Sequence, residues 1–209
     1  MNIYFVRHGR TSGNEANQFQ LPTIALSEKG IEEAEFIAER FKNIKIDVIL
    51  ASSMKRASQT AEIIAKKTGH EVIQNELFEE IKRPSIVRGK SKDDPEVKII
   101  MRSVKDNFTN PDWHHSDEEN YFLFKERALR ALQYISQRSE SDLLVVTHGE
   151  LLRMMIACIT FGDNLTPDSY KSVKDTFVPF NTGITKVQYD PSLGYRDSGW
   201  YIHTWNDHA

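Results

Sequence analysis

Short apolar runs alternate with longer segments of helical periodicity along this chain, and this alternation constrains the fold more than any other feature of its sequence. The runs predicted as β-strands are residues 3–6, 47–51, 72–74, 143–147, 185–189 and 201–204. Between most of them, apolar residues recur three or four positions apart, as they do on one face of an α-helix. The pattern predicts a three-layer α/β/α sandwich around a mostly parallel central sheet.

Four helices are predicted from the apolar spacing. Ser27 is predicted to cap the first helix, with Glu28 in its first turn. The second helix is entered through Ser52 and Ser53, and the fourth ends near Gly162. The apolar residues that define the helices are, in chain order, Ile31, Ala34, Ile37, Ala38 and Phe41; Met54, Ala57, Ala61, Ile64 and Ala65; Phe124, Ala128, Ala131, Leu132 and Ile135; and Leu152, Met155, Ile156 and Ile159.

The stretch of residues 82–120 carries no clear strand signal. It is rich in charge and contains three prolines, Pro84, Pro95 and Pro111. A weak helical segment spans 97–104, and the run DEEN at 117–120 is interpreted as a solvated helix start. We interpret the stretch as a lid inserted over one end of the sheet. Residues 1–209 are therefore predicted to form a single domain.

The overall composition excludes several classes of function. A net charge of −3 argues against a general nucleic-acid binder, so an anionic ligand needs a local cluster of cations. The sequence shows no apolar run of membrane-spanning length and no signal-peptide pattern, so no membrane association is expected. Cys158 is the only cysteine, which excludes an internal disulfide and a cysteine zinc cluster. A reducing cytoplasm is the expected location.

Two of the predicted strands end in the same way. The first leads into Arg7-His8-Gly9 and the fourth leads into His148-Gly149. In open α/β sheets, ligands bind beyond the carboxyl ends of the strands, so both histidines are predicted to face one crevice. The glycine after each histidine is expected to let the backbone approach a ligand. Arg56, early in the second helix, is predicted to lie at the same edge and to attract an anion.

Each of these features has a simpler structural explanation when it is taken alone. A histidine at a strand end usually has a structural role, and an arginine in a first helical turn is usually solvated. Glu79 and Glu80 are ordinarily surface charges, and Asn14 is ordinarily a turn residue. The adjacent His114 and His115 lie in a polar loop and are interpreted as solvated rather than as metal ligands. The convergence of two strand ends and a helix start on one edge favours a functional site.

Several segments together resemble the histidine phosphatase superfamily, which includes the cofactor-dependent phosphoglycerate mutases. The matching segments, in the order of that family, are FVRHGRTSGN, SSMKRASQTA, LFEEIKRPS, VVTHGE and PFNTGITKVQYD. The resemblance spans almost the whole chain. It implies a phosphoglycerate mutase-like fold and a place in the phosphatase branch of the superfamily.

The resemblance also implies roles for individual residues. His8 is the nucleophile that becomes phosphorylated, and Arg7, Arg56 and His148 hold the phosphoryl oxygens. Asn14 matches a polar phosphate ligand.

A second group of assignments is less direct. Gly149 is assigned to substrate binding with His148. The proton donor is assigned to Glu80, with Glu79 as the alternative. Arg10 replaces the glutamate that commonly follows Arg-His-Gly in the mutases, and it reaches either the substrate pocket or solvent.

Elementary chemistry supports these roles. Phosphoryl transfer needs in-line positioning and neutralisation of the charge on three equatorial oxygens. An arginine suits this task because its planar fork donates two parallel hydrogen bonds to phosphate and stays protonated. The nucleophile has to be a neutral imidazole, and Arg7 and Arg56 disfavour a further positive charge on His8. Because these groups supply the positive charge, no metal or other cofactor is expected.

The function predicted from the sequence is that of a metal-independent phosphomonoesterase acting through phosphohistidine on a small phosphorylated metabolite or other phosphomonoester. Phosphoglycerate mutase activity is the first alternative, although the Trp-Asn and Gly-Trp-x-Asp segments typical of the mutases are absent and the first tryptophan is Trp113. A catalytically silent module that binds phosphorylated ligands is the second alternative. The sequence does not predict the oligomeric state.

Overall fold

The computed structural model describes residues 1–193 and 198–208. Within these residues, six strands form one sheet, and each coincides with a predicted strand to within a few residues. The strands are β1 Asn2–Arg7, β2 Val48–Ala51, β3 Val72–Gln74, β4 Asp142–Thr147, β5 Ile184–Tyr189 and β6 Trp200–Asp207.

The sheet is parallel over four strands and antiparallel at one side. Its order is β3-β2-β4-β1-β5-β6, with β3, β2, β4 and β1 parallel. Strand β5 runs antiparallel to β1, and β6 runs antiparallel to β5. Strands β1 and β4 are neighbours whose last residues, Arg7 and Thr147, are paired in register. The segments that follow these two strands therefore leave the sheet side by side.

Helices cover both faces of the sheet. The described helices are α1 Ser12–Glu15, α2 Glu28–Phe41, α3 Lys55–Thr68, α4 Pro95–Asp106, α5 Tyr121–Ser136, α6 Gly149–Phe161 and α7 Pro167–Thr176. The four predicted helices correspond to α2, α3, α5 and α6. The Ser27 side chain accepts a hydrogen bond from the backbone N–H of Gly30, which confirms the predicted N-cap of α2. Gly162 ends α6 with a positive φ of 55°, as predicted.

The core is divided into two parts by the sheet. Along β4, Leu143 and Val145 pack with the helices α5 and α6, whereas Leu144 and Val146 pack with α2 and α3. Alternate residues of a strand point to opposite faces of a sheet, so this division follows from the pleat. The arrangement is the predicted three-layer α/β/α sandwich. Cys158 is buried in the first of these cores.

The stretch 82–120 lies across the carboxyl edge of the parallel strands. Its two ends meet, since the backbone N–H of Glu119 donates to the carbonyl of Lys82 over 3.1 Å. Its first half pairs with the residues after α1, where the N–H of Phe19 donates to the carbonyl of Lys90 over 3.0 Å. The helical segment predicted at 97–104 is the centre of α4.

The prediction that the run at 117–120 is a solvated helix start was wrong for Glu118, Glu119 and Asn120, although Asp117 is exposed and a helix does start there. Asn120 is the N-cap of α5, while Glu118 and Glu119 are 4% and 8% exposed. Glu119 forms an ion pair with Arg127, and Glu118 accepts hydrogen bonds from backbone N–H groups. A run of charge can be buried when its partners come from other parts of the fold. Helices α1 and α7 were not predicted, since one is very short and the other has few apolar residues.

None of the described helices combines the length and the apolar composition that crossing a bilayer requires.

Candidate active site

The parallel pairing of β1 and β4 brings the two predicted histidines together. His8 follows β1 and His148 follows β4, and their ring centroids are 5.0 Å apart with an angle of 58° between the ring planes. His8 is 3% exposed and His148 is fully buried. The common edge predicted for the two strand ends is therefore present in the structure.

His8 is held as a neutral imidazole with one defined orientation. Its Nδ1 lies 2.7 Å from the carbonyl oxygen of Gly9, which accepts only if Nδ1 carries the proton. The lone pair then resides on Nε2, where Arg56 Nε donates to it over 3.2 Å. Burial, followed by the charges of Arg56 and Arg7, holds the pKa of His8 well below its usual value of 6.5.

The backbone around His8 is fixed on three sides. The N–H of His8 donates to the carbonyl of Thr147 over 3.0 Å, and the side chain of Asn181 donates to the carbonyl of His8 over 2.8 Å. The N–H of Gly9 donates to the hydroxyl of Thr60 over 3.1 Å. Thr60 and Asn181 were not singled out from the sequence, because they come from α3 and from the loop before β5.

Arg56 lies in the first turn of α3 with its guanidinium beside His8. It is 4% exposed, and its Nη1 donates to the carbonyl of Leu21 over 3.3 Å. Burial lowers the pKa of Arg56 to about 10, against the opposing charge of Glu80. The group therefore stays cationic at neutral pH and is available to an anion.

Arg7 reaches the cavity past a glycine. Its Nη1 donates to the carbonyl of Pro179 over 2.6 Å, while its buried Nε has no hydrogen-bond partner among the described residues. Burial is the main cause that lowers the pKa of Arg7. A Cβ atom added to Gly149 would lie 3.5 Å from Arg7 Nε and 3.3 Å from Pro179. A methyl group at position 149 would thus touch Arg7 at an ordinary contact distance and press slightly on Pro179.

His148 lies behind His8 and does not line the cavity itself. Its Nε2 is 2.8 Å from the hydroxyl oxygen of Ser52, which also accepts from the N–H of Met54 over 3.2 Å. Its buried Nδ1 has no partner among the described residues. Burial, then the charges of Arg56 and His8, hold the pKa of His148 well below 6.5. If Ser52 donates to Nε2, then Nδ1 is a free hydrogen-bond donor.

The two adjacent glutamates line the cavity and differ in their surroundings. The Glu80 carboxylate accepts hydrogen bonds from the backbone N–H groups of Glu150 and Leu151, each over 3.2 Å, at the start of α6. The Glu79 carboxylate accepts from the Ser53 hydroxyl over 2.5 Å. Glu80 is thus held at the N-terminus of a helix, where the peptide dipoles favour an acidic side chain.

The electrostatic effects of these glutamates on the arginines also differ. Burial is the main influence on the pKa of both Arg7 and Arg56, and the charge of Glu80 opposes it in both. The charge of Glu79 affects only the pKa of Arg56. The charge of Glu80 therefore acts on both guanidinium groups.

Asn14 lines the cavity and is oriented by a local capping box. Its Oδ1 accepts from the N–H and the hydroxyl of Thr11 over 3.1 and 3.0 Å. Because the oxygen is used in this way, the amide nitrogen is the part of Asn14 that remains for a ligand.

The structure does not bring Arg10 to this cavity. The Arg10 side chain is half exposed, and its Nε forms an ion pair with Glu33 over 3.1 Å. It lines a separate depression together with Phe36 and Phe180. The chain turns outward after Gly9, so the next side chain faces away from His8.

The expectation that Gly9 allows a ligand to approach needs a correction. A Cβ atom on Gly9 would lie 2.5 Å from the carbonyl oxygen of Gly30, and one on Gly30 would lie 1.9 Å from that of Arg10. The close approach at Gly9 is therefore between two segments of backbone, namely the loop after β1 and the start of α2.

The groups converge on one cavity of about 580 Å³ at the carboxyl edge of the sheet. Besides Arg7, His8, Asn14, Arg56, Glu79, Glu80 and Gly149, its lining includes Gln18, Phe19, Gln20, Met54, Lys82, Arg83, Arg88, Lys92, Asp117, Glu150, Arg153, Val178 and Pro179. Arg153 and Glu150 were not predicted and form an ion pair over 2.9 Å. Glu150 lies two residues and Arg153 five residues after His148, and this nearness in sequence is the signal that could have found them.

The described part of the chain contains no group of three or more His, Cys, Asp or Glu side chains placed to share a metal ion. His114 and His115 are exposed in their loop, as predicted. Independence of metal stays a prediction.

Comparison with known proteins defines the family. The sequence model of the histidine phosphatase superfamily (branch 1) matches residues 3–208, and the chain belongs to this superfamily. A protein of Erwinia tasmaniensis named "Probable phosphoglycerate mutase GpmB" is 26% identical over 213 residues, covering 99% of this chain and 93% of the relative. The predicted resemblance is confirmed.

Solved structures agree with this membership. Bacillus stearothermophilus YhfR has a TM-score of 0.81 with 26% identity, covering 100% of this chain and 98% of that one. The alpha-ribazole phosphatase from Shigella flexneri has a TM-score of 0.80 with 19% identity and the same coverage, a similarity of fold alone. The phosphoglycerate mutase-like architecture predicted from the sequence is confirmed.

Proposed function

We propose that this protein is a metal-independent phosphomonoesterase that acts through a phosphohistidine intermediate on His8. The observation that carries the proposal is the state of His8, a neutral imidazole whose Nε2 lone pair faces Arg56 at the cavity. A nucleophile needs this lone pair, and a dianionic phosphoryl group needs the adjacent cations.

In the first step, His8 Nε2 attacks phosphorus and the bond from phosphorus to the ester oxygen breaks. Glu80 enters this step in its protonated form and gives its proton to the departing oxygen, which leaves as an alcohol. The carboxylate that results is stabilised by the N–H groups of Glu150 and Leu151.

Arg7 and Arg56 neutralise the equatorial oxygens, and Asn14 donates a further hydrogen bond to them. The Nδ1 of His148 is buried beside His8 and lacks a partner among the described residues, so it donates to a phosphoryl oxygen only when the phosphoryl group has bound to His8. The Nδ1 proton of His8 stays on its hydrogen bond to Gly9.

In the second step, water attacks the phosphorus of phosphohistidine and the bond between phosphorus and Nε2 breaks. Glu80, now a carboxylate, takes the proton of the attacking water and returns to its starting form. Inorganic phosphate leaves, and His8 is again neutral. The same carboxyl group thus serves as acid and then as base.

The choice of Glu80 over Glu79 has two supports. The Glu80 carboxylate is held by two N–H groups at the start of α6, directly beside His148. Its charge acts on both arginines, whereas that of Glu79 acts only on Arg56. Glu79 is the alternative donor, and comparison of Glu80→Gln with Glu79→Gln distinguishes the two.

The cavity favours a small phosphorylated substrate. Lys82, Arg83 and Lys92 line it and form no ion pair within the described residues, while Arg88 is paired with Asp117 over 2.9 Å. An excess of cations at the cavity mouth attracts an anionic ester. We further propose that the stretch 82–120 acts as a lid within a single domain, and that the protein works in the cytoplasm.

The proposal is tested by measuring phosphate release from a panel of phosphorylated metabolites, with EDTA in a parallel series. The wild type is expected to release phosphate from at least one ester, with or without EDTA. His8→Ala is expected to abolish release. Arg7→Ala and Arg56→Ala are expected to lower the rate on the order of 10²–10³-fold, as for loss of one donor to a developing anion. Full activity of His8→Ala, or loss of activity in EDTA, contradicts the mechanism.

Mutase activity is the second candidate, since the Erwinia relative bears that name. The product distinguishes the two functions. Isomerisation of phosphoglycerate that is stimulated by a bisphosphorylated cofactor, with little free phosphate, identifies a mutase. Tight binding of esters with no phosphate release over a broad pH range identifies a binding module instead.

A further inference from the structure

The segment that carries both candidate acids has no strand neighbour. Residues 77–80 begin within the 3₁₀ turn Glu76–Phe78 and lead to the cavity without joining the sheet. Their carbonyl groups are therefore not satisfied by a β-ladder and need other donors.

Arg127 on α5 supplies these donors. Its Nη1 donates to the carbonyl oxygens of Leu77 over 3.2 Å and Glu79 over 2.7 Å. Its Nη2 donates to the carbonyl oxygen of Glu80 over 3.3 Å. One guanidinium group thus binds three of four consecutive peptide units, including those of both candidate acids. Arg127 does not line the cavity, so it acts on them only through the backbone.

Glu119 holds the guanidinium in place. Arg127 Nε lies 2.6 Å from Glu119 Oε1, and Arg127 Nη2 lies 2.7 Å from Glu119 Oε2. The side chains are 12% and 9% exposed, so water screens the pair weakly. Glu119 Oε2 also accepts from the N–H of Lys82 over 2.9 Å, just beyond Glu80.

We propose that Arg127, oriented by Glu119, is a positioning residue for the carboxyl group that protonates the leaving oxygen. The proposal deepens the phosphatase function proposed above and rests on it. It holds for either glutamate, since Arg127 binds the backbone of both. The Glu80 carboxylate is bound at the start of α6, and Arg127 fixes its backbone from the α5 side. A proton donor misplaced by about 1 Å loses much of its effect.

The proposal predicts a dependence on the leaving group. An alkoxide is a strong base and needs a proton as it leaves, whereas p-nitrophenolate is a stable anion and leaves without one. A misplaced acid therefore slows hydrolysis of an alkyl phosphate far more than hydrolysis of p-nitrophenyl phosphate. General loss of structure slows both equally.

The experiment measures kcat/KM for β-glycerophosphate and p-nitrophenyl phosphate in the wild type and in Arg127→Lys, Arg127→Met and Glu119→Gln. Lysine keeps the charge, but its three N–H groups all lie on one nitrogen, which cannot reach the three carbonyls and Glu119 together. Arg127→Lys is expected to lose roughly 10–100-fold with β-glycerophosphate and less than about threefold with p-nitrophenyl phosphate. Glu119→Gln is also expected to lower kcat/KM for β-glycerophosphate more than kcat/KM for p-nitrophenyl phosphate.

The matched control is Arg130→Met, which removes an exposed arginine one turn further along α5 and is expected to leave both values unchanged. The ratio of the two kcat/KM values is independent of the folded fraction, so partial unfolding of Arg127→Met cannot imitate the effect. An unchanged ratio in the Arg127 and Glu119 variants overturns the positioning role even if both activities fall. A wild type that releases phosphate neither from these two esters nor from any member of the metabolite panel overturns the phosphatase function, and the positioning role with it.

Discussion

At the scale of single residues, the site depends on backbone contacts as much as on its charged groups. Gly9 and Gly30 allow the loop that carries His8 to lie directly against the start of α2, with no side chain between them. The N–H of Ser27 also donates to the carbonyl of Arg10 over 2.9 Å across the same contact. The position of the nucleophile is therefore coupled to the packing of α2.

Gly30→Ala tests this contact. The added methyl group would lie 1.9 Å from the carbonyl oxygen of Arg10, so the loop or the helix has to move. We expect the free energy of unfolding to fall by about 3 kcal/mol, at the upper end of the cost of overpacking. Urea unfolding measures it, with the exposed neighbour Lys29→Ala as a control expected to stay within about 0.5 kcal/mol of wild type. Equal stability of Gly30→Ala and Lys29→Ala argues against a tight contact.

At the scale of secondary-structure elements, two helix starts face the cavity. The first turn of α3 carries Arg56, and the first N–H groups of α6 bind Glu80. Helix α5 contributes from further back, because its Arg127 binds the segment before the cavity and its N-cap, Asn120, closes the stretch 82–120. The position of the start of α5 therefore affects the position of the segment that carries Glu79 and Glu80.

Asn120→Ala tests the start of α5. The Asn120 side chain accepts hydrogen bonds from the N–H groups of Phe122 and Leu123, each over 3.0 Å. Loss of such a cap costs about 1–2 kcal/mol, so we expect a decrease of that size in the free energy of unfolding by urea. Asn120→Ser retains a capping oxygen and is expected to lose less. If alanine and serine are equally stable at this position, the cap does not stabilise the helix.

At the scale of the whole molecule, two buried histidines lie beside the buried Arg56 and the partly buried Arg7. The desolvation of His8 and His148 and the charges of Arg56 and Arg7 all disfavour imidazolium. The fold therefore keeps both histidines neutral under mildly acidic conditions, and this lowers the free energy of unfolding at mildly acidic pH.

Stability is expected to decrease as the pH falls below 6.5. Both histidines have a folded-state pKa well below the unfolded value of 6.5, so the unfolded chain takes up protons first. The free energy of unfolding then falls by up to about 1.4 kcal/mol per pH unit for each histidine, until the folded-state pKa is passed. Urea unfolding between about pH 5 and 7.5 measures the slope. His148→Asn removes one of the two histidines and is expected to reduce the slope by up to about 1.4 kcal/mol per pH unit. A wild-type stability that does not change with pH contradicts the explanation.

The sequence predicted the strands and the main helices because each of these depends on local spacing. It predicted the convergence of the two strand ends because parallel strands of an open α/β sheet end at one edge. A strand such as β4 is recognisable in the sequence as a continuous apolar run. The Arg-His-Gly and Thr-His-Gly segments lie where two such runs end. Asn14 and the adjacent glutamates were found through the family resemblance. The roles of all these residues stay predictions until the variants are measured.

What the sequence by itself determined is the type of each element and the chemistry at the strand ends, because periodicity and residue type are local properties. Only the tertiary structure decided that Arg10 turns away to Glu33 and that Glu119 is buried against Arg127. It also decided that Gly9 contacts Gly30. These outcomes depend on which distant segments the sheet order brings together, and no local pattern in FVRHGRTSGN or DEEN encodes the partner.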